Sequence, residues 1–103
     1  ILEEEKEIEK SIIENQQKLA DINFIGKTEN IIFDLLGKAQ LSRIDGSVYI
    51  LRYDSEKCRL FLFFNQKASE KRVEYFELRN DKAELLNSKQ ALEGCYKEFN
   101  LLN

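Results

Sequence analysis

The stretch whose reading decides the fold is Cys58–Phe64, CRLFLFF. Leu60, Phe61, Leu62, Phe63 and Phe64 form an unbroken apolar run of strand length. A strand wetted on one face alternates apolar and polar residues, so this run predicts a strand buried on both faces. Its surroundings fit. Upstream, Asp54–Lys57 is a polar turn and Ser47–Tyr53 (SVYILRY) is rich in β-formers. Downstream, the polar loop Asn65–Lys71 leads to a third strand at Arg72–Arg79 (RVEYFELR). Asp45–Gly46 and Asn80–Asp81 are turn signals, and Lys82–Leu86 has room for a short fourth strand. Short turns between such strands make an antiparallel meander, with Cys58–Phe64 between its neighbours.

Helical periodicity brackets the strands. Residues 24–41 place Ile32, Leu35, Leu36 and Ala39 on a broad apolar face, with Ile25 and Ile31 beside it. Residues 1–22 place Ile1, Ile8, Ile12, Leu19 and Ile22 on a 3–4 spacing, with Glu5 and Asn15 at the remaining seam positions. That stripe is narrow, closer to a coiled-coil seam than to a core face. Asn15 either reaches solvent or fixes register and strand number. Gly26 and Thr28 are able to end one helix and cap the next. One internal glycine costs only about 1 kcal/mol, so a single helix from Ile1 to about Leu41, bent near Asn23–Thr28, is the reading carried forward. Residues 88–102 (SKQALEGCYKEFNLL) are helical again, with Asn87 and Gln90 in the form of a capping box and a stripe of Leu92, Cys95, Tyr96, Phe99 and Leu102.

The expected fold class is therefore α+β: a long N-terminal amphipathic helix, a 3–4-stranded antiparallel meander and a C-terminal helix. A seam-like helix at 1–22 precedes a compact part at 23–103. One face of the central strand packs on the helix at 24–41, and the last helix is available for the other. If that helix lies elsewhere, an apolar sheet face is left for a partner.

Composition narrows the chemistry. The 103 residues contain no His, which removes the commonest general base and metal ligand and any Ser–His or Cys–His pair. Gly26–Lys27–Thr28 spells G-K-T, but the first glycine of a phosphate loop would fall at Asp21, with no strand before it. The carboxylates are scattered, and Asp54, Glu56 and Cys58 make no convincing metal set. No enzyme activity, cofactor or metal is expected. Cys58 and Cys95 fit no CxxC pair; they read first as buried free thiols, and alternatively as one disulfide closing a long loop. Tyr49, Tyr53, Phe61, Phe63, Tyr75 and Phe76 lie on strands with Arg52, Arg59 and Arg72 interleaved, a pattern that single-strand nucleic-acid platforms also use. The phenylalanines sit in the central strand where a core needs them, and the net charge of −3 supplies no basic footprint. No nucleic acid is expected. Acids outnumber lysines by four in residues 1–22.

A helix that leads straight into strands of the texture VYILRYD, RLFLFFN and RVEYFEL, followed by ELLNS, resembles type IV pilins and type II secretion pseudopilins. That resemblance implies a structural subunit of a pilus-type or secretion assembly. It also implies a membrane-anchoring apolar segment upstream of Ile1, a periplasmic domain, and a setting in which Cys58 and Cys95 pair. The absence of Met at position 1 reads as a fragment or processed form, and no apolar run in the given sequence is long enough to span a membrane. The chain also resembles small α+β domains carried on coiled coils, such as pilus assembly-platform proteins and kinetochore-type adaptors, which implies a cytoplasmic alternative. Both likenesses imply a protein partner or homo-oligomer held through the N-terminal helix, at Ile1, Ile8, Ile12, Asn15, Leu19 and Ile22, and a sheet that serves as a contact surface.

Overall fold

A computed structural model describes residues 22–102. The elements are α1 (Glu29–Leu36), β1 (Leu41–Asp45), β2 (Val48–Asp54), β3 (Cys58–Asn65), β4 (Val73–Asn80), β5 (Leu85–Leu86) and α2 (Lys89–Glu98). The strands form one antiparallel sheet in the order β1-β2-β3-β4-β5.

The continuous N-terminal helix is corrected over its described part, residues 22–41. Residues 1–21, with the seam positions Ile1, Ile8, Ile12, Asn15 and Leu19, lie outside the described residues. Ile22, the last seam position, is not helical and packs half-buried against the core. The chain then turns instead of coiling. The Asn23 side chain accepts from the Ile25 amide at 3.1 Å, and Gly26 adopts φ +84°, a conformation that favours glycine. Gly26 N–H then donates to Val73 C=O at 2.8 Å, and Val73 N–H returns a bond to Lys27 C=O at 2.9 Å. These bonds divert the backbone into a short pairing with the start of β4. Thr28 then caps α1, its hydroxyl accepting from the Ile31 amide at 3.3 Å. The helix ends after eight residues at Gly37, φ +77°. Leu41, expected at a helix end, begins a fifth strand instead: Leu41–Asp45 pairs with β2 across a two-residue turn. Gly46 holds φ +61° at the first turn position, where tight hairpins require positive φ.

Alternation along the strands separates two faces. On β3, Cys58, Leu60, Leu62 and Phe64 are buried, whereas Arg59, Phe61 and Phe63 are only partly so. Register carries Leu51 and Tyr53 of β2, and Phe76 and Leu78 of β4, to the buried face. Both helices lie on that face. Ile32 of α1 is fully buried in the core, and Tyr53 Oη donates to Gly37 C=O at 2.8 Å just past the helix. Burial, followed by the Glu29 carboxylate, pushes the phenols of Tyr49 and Tyr53 up to about 12, so both stay neutral and able to donate. Phe24 packs between the sheet and α2: its ring meets Phe76 of β4 at 5.1 Å and Tyr96 of α2 at 6.1 Å, both edge-on.

Helix α2 is fixed at two points. Its N-cap is Ser88, whose hydroxyl accepts from the Ala91 amide at 3.2 Å, rather than the expected Asn87. A disulfide joins Cys95 to Cys58, settling the open reading of the two cysteines in favour of a bond. Beside it, Glu98 Oε1 accepts from Ser55 Oγ at 2.9 Å and from Lys57 N–H at 2.8 Å. A carboxylate at a helix C-terminus opposes the helix dipole; these two donors offset that cost and tie the helix end to the β2–β3 turn.

The bond closes a loop between residues 37 positions apart. Replacing Cys58→Ser with Cys95→Ser is expected to lower the unfolding free energy by about 3–4 kcal/mol in urea titration. Treatment of the native protein with reductant is expected to give the same shift. A change under about 1 kcal/mol would show that burial alone holds α2 in place.

Candidate functional site

The second face of the sheet is the candidate. Antiparallel partners share a face, so the register defines its rows. One row is Arg43, Ile50, Phe63 and Tyr75; the next is Leu41, Arg52, Phe61 and Glu77; the third is Asp54, Arg59, Arg79 and Leu85. Val48 and Asn65 extend the face beyond the first row. Among the described residues, no helix lies on this side. Of the two placements open to residues 88–102, the structure has the one that leaves this face uncovered: Cys58 belongs to the buried face, and the bond to Cys95 holds α2 there.

The face is apolar at its centre and charged toward its ends. Ile50, Phe61 and Phe63 are partly exposed. At the margins Tyr75 is 54% exposed, Leu85 50% and Leu41 40%. The Phe63 and Tyr75 rings sit 5.4 Å apart. A register shift at Phe63/Phe64 leaves Glu74 without a strand partner. There Val48, Phe63, Asn65, Lys67, Glu74 and Tyr75 line a shallow depression of about 530 Å³. The charges are paired along the strands. Arg52 Nε lies 3.1 Å from Asp54 Oδ1 on β2, and Arg79 Nε lies 2.9 Å from Glu77 Oε1 on β4. Arg59 Nε lies 3.6 Å from the same Asp54 oxygen, and its guanidinium also donates to the carbonyls of Ser55 at 3.0 Å and Cys58 at 2.9 Å.

This geometry redistributes the aromatic residues read from the sequence. Tyr49, Tyr53 and Phe76 join the core side, as does Phe64, whereas Phe61, Phe63 and Tyr75 face outward. Outward aromatics on adjacent strands are what a base-stacking platform uses. The electrostatics differ from such a platform, because Arg43, Arg52, Arg59, Lys67 and Arg79 are set against Asp45, Asp54, Glu74 and Glu77, which nearly cancel them. A balanced face with an apolar aromatic centre and arginines matches the composition of protein interfaces. Sequence reasoning missed Leu41, Arg43 and Leu85 as members of this face. The signal for the first two was Asp45–Gly46, a hairpin turn that needs a strand on both sides.

The remaining sequence features have structural roles. Gly26–Lys27–Thr28 forms the bridge to β4 and the cap of α1. Among the described residues, no three His, Cys, Asp or Glu side chains converge on a metal-sized site. Also among them, no helix is long and apolar enough to cross a membrane. Ile25, Ile31, Phe33 and Leu35 leave a second apolar area exposed on the helix side.

Phe63 and Leu62 are adjacent on one strand but face opposite ways, which gives a direct check of the assignment. Phe63→Lys is expected to change stability by only about 1 kcal/mol, a shift in Tm of about 4–8 °C at this size. Leu62→Lys places a charge in the core and is expected to prevent cooperative folding. Equal damage from both would mean that the second face is also core.

Compared with known proteins, the chain matches no family model, no curated protein and no solved structure.

Proposed function

We propose that this chain is a non-enzymatic structural or scaffold subunit that works by protein contact through the open face of its sheet. The observation that carries this reading is the position of Phe61, Phe63 and Tyr75. They stand on the side of the sheet that no described helix covers. A monomer gains nothing in water from such a group on its central strands; a partner that buries it gains about 25 cal/mol for each Å² of apolar surface removed from water.

The disulfide supports a compartment for this role. Stable disulfides form in oxidising environments, and the Cys58–Cys95 bond supports a periplasmic or equivalent extracytoplasmic setting for the proposed subunit. Pilins and pseudopilins were the sequence-level comparison, drawn from a continuous helix to about Leu41. Among the described residues, helix before β1 is found only at Glu29–Leu36, so the scaffold reading rests on the sheet face and the disulfide instead. A cytoplasmic coiled-coil adaptor shares the sheet contact surface but draws no support from the disulfide.

The test is site-specific photo-crosslinking in the whole protein within its source cell. A photoreactive side chain at Phe63 is expected to give discrete protein adducts. The same group at Glu56, on the β2–β3 turn, is expected to give none. Equal labelling at both positions, or no adduct at Phe63, would contradict a contact role for the face.

A further inference from the structure

The charges on the open face carry a reversed order that identifies an occupant. β2 and β4 both run antiparallel to β3, so they run parallel to each other. At the level of Phe61, β2 carries Arg52 and β4 carries Glu77. One row on, at the level of Arg59, β2 carries Asp54 and β4 carries Arg79. The two ion pairs thus flank β3 with opposite polarity.

A surface with opposite charges at equal distances from a central line is complementary to its own copy turned about that line. We infer that the open face binds a second copy of this chain about a two-fold axis parallel to β3. This inference rests on the contact-surface reading above and names its partner. The rotation lays β2 of each copy over β4 of the other and β3 over β3. Arg52 then faces Glu77 of the copy and Asp54 faces Arg79, while Ile50 faces Tyr75. Phe61 and Phe63 meet their own counterparts at the centre. Sheets packed face to face lie about 10 Å apart with strands within about 30° of each other. At one strand from the axis, that crossing displaces partners by about 2–3 Å, within reach of arginine and glutamate side chains. The two Arg59 residues also meet near the axis, but each guanidinium is turned back onto Asp54 and the carbonyls of its own turn.

Other occupants fit the face less well. Nucleic acid needs net positive charge, and this face is balanced. The chain's own residues 1–22 carry seven acids against three lysines, an excess for which the face offers no complement. A copy of the face brings both signs in the order required, and it buries aromatic centre against aromatic centre.

The experiment exchanges the polarity of one strand at a time in the whole, disulfide-bonded chain, read by sedimentation equilibrium. One variant is Arg52→Glu with Asp54→Arg; the other is Glu77→Arg with Arg79→Glu. Each keeps an ion pair within its own strand but opposes like charges across the two-fold. Wild type is expected to show a monomer–dimer equilibrium, and each variant alone a Kd at least about tenfold weaker. Mixed in equal amounts, the two variants become complementary at all four contacts, and wild-type affinity is expected to return as a heterodimer. The single substitutions Arg52→Glu and Glu77→Arg form a second complementing pair should a double variant fold poorly. A wild-type chain that stays monomeric overturns the inference, as do variants that associate equally well alone and mixed. In either case, photo-crosslinks from position 63 to another protein leave the contact-surface reading standing; loss of those adducts fails that reading itself.

Discussion

The bond between Cys58 and Cys95 decides which side of the sheet has a roof. Cys58 is on the buried face of β3, so a helix tied to it has no choice of side. α1 is on the same side, held by buried Ile32 and by the Tyr53–Gly37 hydrogen bond. Phe24 joins the same core and packs on Phe76 of β4 and Tyr96 of α2. Once both helices and the N-terminal bridge share one face, the domain has two layers, and a single core lies between them. Among the described residues, no further helix is left for the other face.

That allocation explains the character of the open face. Its centre is apolar enough to be buried, yet its ends are charged; Arg52 and Asp54 pair along β2, Glu77 and Arg79 along β4, and Arg59 of β3 reaches across to Asp54. Ion pairs within one strand and still partly open to water add only modestly to the stability of a monomer. Their value is in orientation, because the reversed polarity of β2 and β4 selects how a second sheet can sit. In this account the disulfide, the aromatic row and the ion pairs are three parts of one arrangement: the first clears the face, the second makes its burial favourable and the third sets its register.

Much of the sheet was legible because turns and alternation are local signals. SVYILRY, CRLFLFF and RVEYFELR each fall on a strand, and the polar turns between them fall on the connections. The boundary of α1 was less legible. Asn23, Gly26 and Thr28 carry the break, but the strongest part of it is the pairing of Gly26 and Lys27 with Val73, a contact 46–47 residues away in sequence. No local pattern records such a bond. β1 was hidden because all five of its residues are exposed, which gives an edge strand no inside–outside alternation to read. The run Leu60–Phe64 predicted a strand buried on both faces, and the structure buries one, leaving Phe61 and Phe63 partly exposed. It could not signal that only one would be covered within this chain, since an apolar side chain looks the same whether its partner is intramolecular or not.

The central claim is that both helices occupy one face and leave Phe61 and Phe63 free. Side-chain nuclear Overhauser contacts in the dilute monomer test it most directly. The account predicts contacts from Tyr96 to Phe24 and from Ile32 to the core-face residues of β2 and β3, and none from α1 or α2 to Phe61 or Phe63. Contacts from Leu92 or Phe99 of the C-terminal segment to either phenylalanine would place a helix over the open face and contradict it.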